Sequence, residues 1–175
     1  MEGKQSARRV VIAGFMGAGK TCVAEALARR LGCAWEDLDA VVCEREGRTP
    51  GELIEAEGEA VFREAETRAL RDVLERDEAR IVALGGGAWT LERNRALVAA
   101  YDCLTIWLDA PFELCWQRTL RDAHTRPLAR TRESAARLYD ERRALYALAA
   151  VRIEVAAEAS AEDLAASIET LMLKR

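Results

Sequence analysis

The chain has 175 residues, half of them hydrophobic and 32% charged, with a formal net charge of −4. That size and balance suit one compact domain with a buried core, and exclude disordered, collagen-like and disulfide-dependent classes. The acidic charge argues against general nucleic-acid binding, and no apolar run approaches the length of a membrane span. No signal peptide is expected, and cysteines 22, 33, 43, 103 and 115 form no C-x-x-C pair, which fits a reducing cytoplasm better than a zinc or disulfide framework.

The elements alternate along the chain. Residues 8–13 read as a buried strand through Val10, Val11 and Ile12, and glycines follow from Gly14 to Gly19. Val23, Ala24, Leu27, Ala28 and Leu31 then recur at helical spacing until Gly32. A short strand is predicted over 34–38, helices over 39–45, 50–57 and 59–76, and a third strand over 80–84 that ends in Gly85-Gly86-Gly87. A helix over 90–100, a strand over 104–108 and a helix over 111–120 come next. Residues 121–132 are polar and irregular, an insertion within one domain. A helix over 134–148, a strand over 151–155 and a closing helix over 161–173 complete the chain. Strands alternating with helices predict an α/β fold, a parallel sheet covered on both faces.

Gly14-Phe15-Met16-Gly17-Ala18-Gly19-Lys20-Thr21 fits G-x-x-x-x-G-K-[ST] between a strand and a helix, the context that phosphate binding requires. Glycines let backbone N–H groups close around a phosphate, and the helix N-terminus adds donors and a favourable dipole. Lys20 supplies a point charge for the outer phosphates, and Thr21 a hydroxyl for Mg²⁺. Lysine otherwise occurs only at Lys4 and Lys174, while arginine serves everywhere else, so Lys20 marks a place where arginine would not do. The motif alone points to ATP or GTP.

Asp37-Leu38-Asp39 lies at the end of a strand, where two carboxylates could divide metal and proton work beside the phosphates. Equally, Asp39 could be a helix N-cap. The triple glycine could expose backbone donors to a ligand or form a tight turn. Arg63, with Glu59 and Glu66 a turn to either side, has the pattern of a solvated helix face. Residues 118–143 are rich in arginine: Arg118, Arg121, Arg126, Arg130, Arg132, Arg137, Arg142 and Arg143. Arginines on such a segment can close over a nucleotide, with Arg130, Arg132, Arg137 and Arg143 expected on the helix surface. The run from Leu104 to Asp109 offers a competing metal-site aspartate, Asp109. His124, in the polar insertion, is expected to be a loop residue, and Cys22 a packing residue.

In this order the pieces resemble the shikimate kinase family: the phosphate loop, Trp35-x-Asp37-x-Asp39, Gly58-Glu59-x-x-Phe62-Arg63-x-x-Glu66, Gly85-Gly86-Gly87, Arg126-Pro127-Leu128 and Arg142-x-x-Leu145-Tyr146. The resemblance spans nearly the whole chain, and its specificity lies in the joint order of the motifs. It implies a three-layer P-loop domain over residues 1–175, with a five-stranded parallel sheet in the nucleoside-monophosphate-kinase style. Substrate-binding helices would lie at about 38–76 and a lid at about 119–132. It also implies phosphorylation of the shikimate 3-hydroxyl by ATP with Mg²⁺, in aromatic amino-acid biosynthesis, by a cytoplasmic monomer. Carried over, Asp39 would orient or accept the hydroxyl proton, with Lys20 and Arg126 at the transferring phosphate. Arg63 and Arg142 would clamp the carboxylate beside Gly86 and Gly87. Gly17, Ala18, Gly19, Lys20, Thr21, Cys22, Arg118 and Arg126 would hold ATP, with Arg118 against the adenine, and Thr21 and Asp37 (through water) would serve Mg²⁺. Trp89 and Ile54 depart from the family's usual residues at those positions.

Overall fold

The computed structural model describes residues 8–121 and 131–173. Five parallel strands, β1 (Val10–Ala13), β2 (Trp35–Asp37), β3 (Ile81–Ala83), β4 (Leu104–Asp109) and β5 (Val151–Glu154), form one sheet in the order β2-β3-β1-β4-β5. The register pairs Ile12 with Ala83 on one side and with Ile106 on the other. Successive strand residues face opposite sides of a sheet. All four residues of β1 are buried, so both faces of its centre are covered. The edges read differently. Strand β2 is short and half-buried, and β5 exposes Arg152 and Glu154 around buried Ile153, which discourages pairing with another chain.

The helices are α1 (Lys20–Leu31), α2 (Leu38–Glu46), α3 (Pro50–Glu57), α4 (Glu59–Arg76), α5 (Glu92–Ala100), α6 (Phe112–Arg121), α7 (Arg132–Tyr146) and α8 (Ala161–Leu173). None among the described residues is long and apolar enough to cross a membrane. Local chemistry sets their ends. Thr49 and Glu52 make a capping box that starts α3, and Gly32 closes α1 in the left-handed region.

Several boundaries differ from the sequence pattern, three of them for a visible local reason. The helix expected from residue 90 is a 3₁₀ turn (Ala88–Thr90) followed by α5, because Leu91 is extended between them. Helix α7 starts at Arg132, two residues early, since Thr131 and Ser134 cap it reciprocally. Helix α2 is capped by Asp37, whose Oδ1 accepts from the N–H of Asp39 at 2.9 Å and of Ala40 at 3.4 Å. The cap is therefore Asp37 rather than Asp39, which sits inside the first turn.

Candidate active site

The C-terminal ends of β1, β2 and β3 open on a cleft of about 460 Å³ lined by Met16, Gly17, Gly19, Lys20, Thr21, Cys22, Asp37, Asp39, Leu84, Gly86, Arg118 and Arg121. The phosphate loop forms one wall. At Gly17, with φ of 75°, a Cβ would run into the Cys115 carbonyl oxygen of α6, so only glycine lets the loop pass. Buried Ala18 donates its N–H to the Phe15 carbonyl at 3.1 Å. The Lys20 ammonium, nearly buried, donates to the same carbonyl at 2.9 Å and is thereby held along the loop. Arg118 reaches across from α6 to the carbonyls of Gly17 (3.3 Å) and Ala18 (3.5 Å). Cys22 is exposed on the cleft wall, so the expectation that it packs is corrected.

At the head of α1 the Thr21 hydroxyl donates to Asp37 Oδ2 at 2.6 Å. A hydroxyl and a carboxylate side by side are hard oxygen donors suited to Mg²⁺, which keeps most of its coordination for water and phosphate. No group of three or more His, Cys, Asp or Glu able to hold a metal occurs among the described residues.

The opposite wall is organised by the triple glycine after β3. Each glycine makes room for a different group. A Cβ at Gly85 would stand 2.5 Å from Asp39 Oδ1 and 2.8 Å from Glu66 Oε1; one at Gly86 would lie 3.4 Å from the Met16 backbone nitrogen and 3.9 Å from Arg142 Nη1. One at Gly87 would overlap the Arg63 guanidinium. Side chains from α2, α4 and α7 thus converge on three consecutive residues. Arg63 and Arg142 are both buried, so Arg63 does not have the solvated-face position that its sequence pattern suggested. Arg63 donates to Glu66 at 2.8 Å and to Glu59 at 3.1 Å, and lies over the Phe62 ring. Burial alone would lower its pKa, but the Glu66 and Glu59 carboxylates raise it instead.

Asn94 and Thr67, which the sequence pattern did not single out, brace this wall. Fully buried Asn94 accepts from Thr67 at 2.8 Å and donates to the Ala88 carbonyl at 2.9 Å, tying α4 to the turn after the glycines. The Tyr146 hydroxyl donates to the Gly86 carbonyl. Trp89 is buried and donates to the Leu145 carbonyl at 3.0 Å; it faces a separate hollow beside Arg95 and Leu148. Half-buried Ile54 packs on the core.

Asp109, the competing metal-site aspartate, is buried and engaged elsewhere. It accepts from Arg143 at 2.9 Å and from Arg152 at 2.8 Å. Arg143 is exposed on the helix surface, as expected, and from there forms half of this anchor. Arg126, Arg130 and His124 lie outside the described residues.

A family model described as shikimate kinase matches residues 16–172. The chain belongs to the shikimate kinase family. A shikimate kinase of Geobacter sulfurreducens is 42% identical over 168 residues, covering 94% of this chain and 91% of that relative. One of Ruegeria pomeroyi is 37% identical over 160 residues, covering 90% of this chain and 80% of its own length. Among solved structures, a shikimate kinase from Acinetobacter baumannii in complex with shikimate superposes with a TM-score of 0.89 at 34% identity, covering 97% of this chain and 95% of that one. A gluconokinase from Sinorhizobium meliloti, at 16% identity and a TM-score of 0.60, shares the fold alone.

Proposed function

We propose that this chain transfers the γ-phosphoryl group of ATP to the 3-hydroxyl of shikimate, giving shikimate 3-phosphate and ADP, in aromatic amino-acid biosynthesis. The observation that carries the proposal is the convergence of Asp39, Arg63 and Arg142 on Gly85–Gly87 beside the phosphate loop. Shikimate is a small carboxylate with several ring hydroxyls. Two guanidiniums next to backbone glycines suit the carboxylate, and an aspartate toward the nucleotide suits the hydroxyls.

In this mechanism Arg63 and Arg142 hold the carboxylate and fix the ring against Gly86 and Gly87. Asp39 orients the 3-hydroxyl and accepts its proton as the oxygen bonds to the γ-phosphorus and the bond to ADP breaks. Lys20, and Arg126 of the 119–132 segment, stabilise charge on the transferring group. Gly17, Ala18 and Gly19 offer backbone N–H groups to the phosphates, with Thr21 and Cys22 at the head of the helix and Arg118 against the base. Mg²⁺, held through Thr21 and by way of water Asp37, would neutralise phosphate charge. We further propose a cytoplasmic monomer that takes no nucleic-acid or membrane partner.

A coupled ADP-release assay with shikimate, gluconate and nucleoside monophosphates tests the proposal. Release with shikimate alone is expected. Release with gluconate but not shikimate would reassign the substrate, and ATP binding without turnover on any acceptor would make the chain a nucleotide-binding module.

A further inference from the structure

Glu66 is fully buried in α4, directly beneath Gly85, and its two oxygens have unlike surroundings. Oε2 accepts from Arg63 Nη1 at 2.8 Å. Oε1 is buried and has no hydrogen-bond donor among the described residues. It is also the oxygen that faces Gly85, where a Cβ would stand 2.8 Å from it and 2.5 Å from Asp39 Oδ1. The two oxygens can be no farther apart than those distances together. When both carboxylates are ionised, two like charges lie close together with Glu66 held out of water, a costly arrangement. A proton on Glu66 Oε1 removes one of those charges and turns an unpartnered acceptor into a donor.

Every element packed around Glu66 contributes to its balance. Burial pushes its pKa up to about 7; Arg63 on its own helix and Arg142 on α7 pull it down, and Asp39 on α2 pushes it up. Glu59 competes for Arg63 at 3.1 Å, and the buried Tyr146 phenol, raised by burial to about 12, stays neutral. The ionised form of Glu66 therefore depends on two guanidiniums.

Those are the guanidiniums assigned to the substrate carboxylate. Resting on the function proposed above, we propose that Glu66 takes up a proton from solvent when shikimate binds. The incoming carboxylate draws on Arg63 and Arg142 and adds a negative charge nearby, and both effects favour neutral Glu66. The neutral acid still accepts from Arg63 through Oε2 and so keeps the guanidinium aimed. Glu66 is a positioning residue that couples substrate affinity to pH. Because binding takes up a proton, affinity rises as pH falls, by up to about tenfold per pH unit between the free and bound pKa values.

Isothermal titration of the full chain with shikimate, near neutral pH in two buffers of different ionisation enthalpy, tests this. The apparent binding enthalpy should differ between buffers by their difference in ionisation enthalpy multiplied by a fraction of one proton per shikimate. Glu66→Gln should abolish the difference and flatten the affinity against pH, while ADP binding stays unchanged. Asp39→Asn removes the facing charge, so it should keep the uptake but move its pH midpoint lower, an independent readout should Glu66→Gln fail to fold. Shikimate binding with buffer-independent enthalpy overturns the proton uptake alone. Equal uptake in Glu66→Gln and wild type overturns the assignment to Glu66. Absence of any shikimate binding overturns the functional proposal itself, and this one with it.

Discussion

Gly87 packs so tightly against Arg63 that a Cβ at residue 87 would stand 2.6 Å from Nη1 and closer still to Nη2. The guanidinium has little room to yield. It is fixed by Glu66 at 2.8 Å and Glu59 at 3.1 Å and lies 4.9 Å from the centre of the Phe62 ring. Gly87 has no left-handed backbone angle to lose, so alanine there acts through the clash alone. Gly87→Ala should raise KM for shikimate by about tenfold or more, equivalent to ~1.4 kcal/mol. KM for ATP should be nearly unchanged. Steady-state kinetics with each substrate varied checks this, and equal damage to both substrates would mean the loop has moved as a whole.

Asp39 bears on the chemical step. It sits in the first turn of α2, and its Oδ1 lies against Gly85 on the cleft wall. Asp39→Asn keeps the shape and removes the proton acceptor. Turnover should fall by about 10²–10⁴-fold, the usual worth of general acid–base catalysis, with ATP affinity nearly intact. Calorimetry for ADP or ATP binding alongside single-turnover kinetics separates the two. Equal loss of both would make Asp39 structural.

Much of this was legible in the sequence because the phosphate loop is local. Glycine spacing, one lysine and the flanking apolar runs are all contiguous, so the strand, loop and helix could be read together. The remainder depends on which way a face turns. Glu59, Arg63 and Glu66 look like surface ion pairs at helical spacing, and nothing in that spacing says that α4 turns Arg63 and Glu66 inward. Asp109 ends an apolar strand as a metal-site aspartate would. Its capture by Arg143 and Arg152, 34 and 43 positions downstream, depends on where α7 comes to lie and on the β4–β5 pairing. The cap of α2 is Asp37, two residues before the candidate Asp39; both carry the same side chain, and only backbone direction separates their roles.

Buried Glu66 should also tilt the stability of the protein against pH. Its folded pKa, about 7, lies above the ordinary 4.5, chiefly through burial. The protein then gains full stability from this group below its unfolded pKa, and loses it as pH rises through the folded one. Glu66→Gln removes that loss. Between about pH 5 and 8, the melting temperature of wild type relative to the variant should therefore fall as pH increases. A constant difference across that range would mean Glu66 is ionised throughout.

The Asp109 anchor makes a prediction about asymmetry. Its carboxylate is only 5% exposed, while Arg143 and Arg152 are 45% and 50% exposed and lie 5.5 Å and 5.4 Å from the Trp107 ring centre. Removing the aspartate leaves two cations that can reach water; removing both arginines leaves a carboxylate that cannot. Uncompensated buried charge costs about 3–5 kcal/mol, whereas exposed partners lose far less. Arg143→Ala with Arg152→Ala should therefore destabilise the protein more than Asp109→Asn, with each kcal/mol worth roughly 2–4 °C of melting temperature in a chain of this size. Because Asp109 is engaged here, Asp109→Asn should leave the Mg²⁺ dependence of turnover unchanged. Thr21→Val, which removes the hydroxyl paired with Asp37, should shift that dependence to higher Mg²⁺. A Mg²⁺ titration of both variants decides between the two aspartates: a shift in Asp109→Asn with none in Thr21→Val would return the metal role to the end of β4.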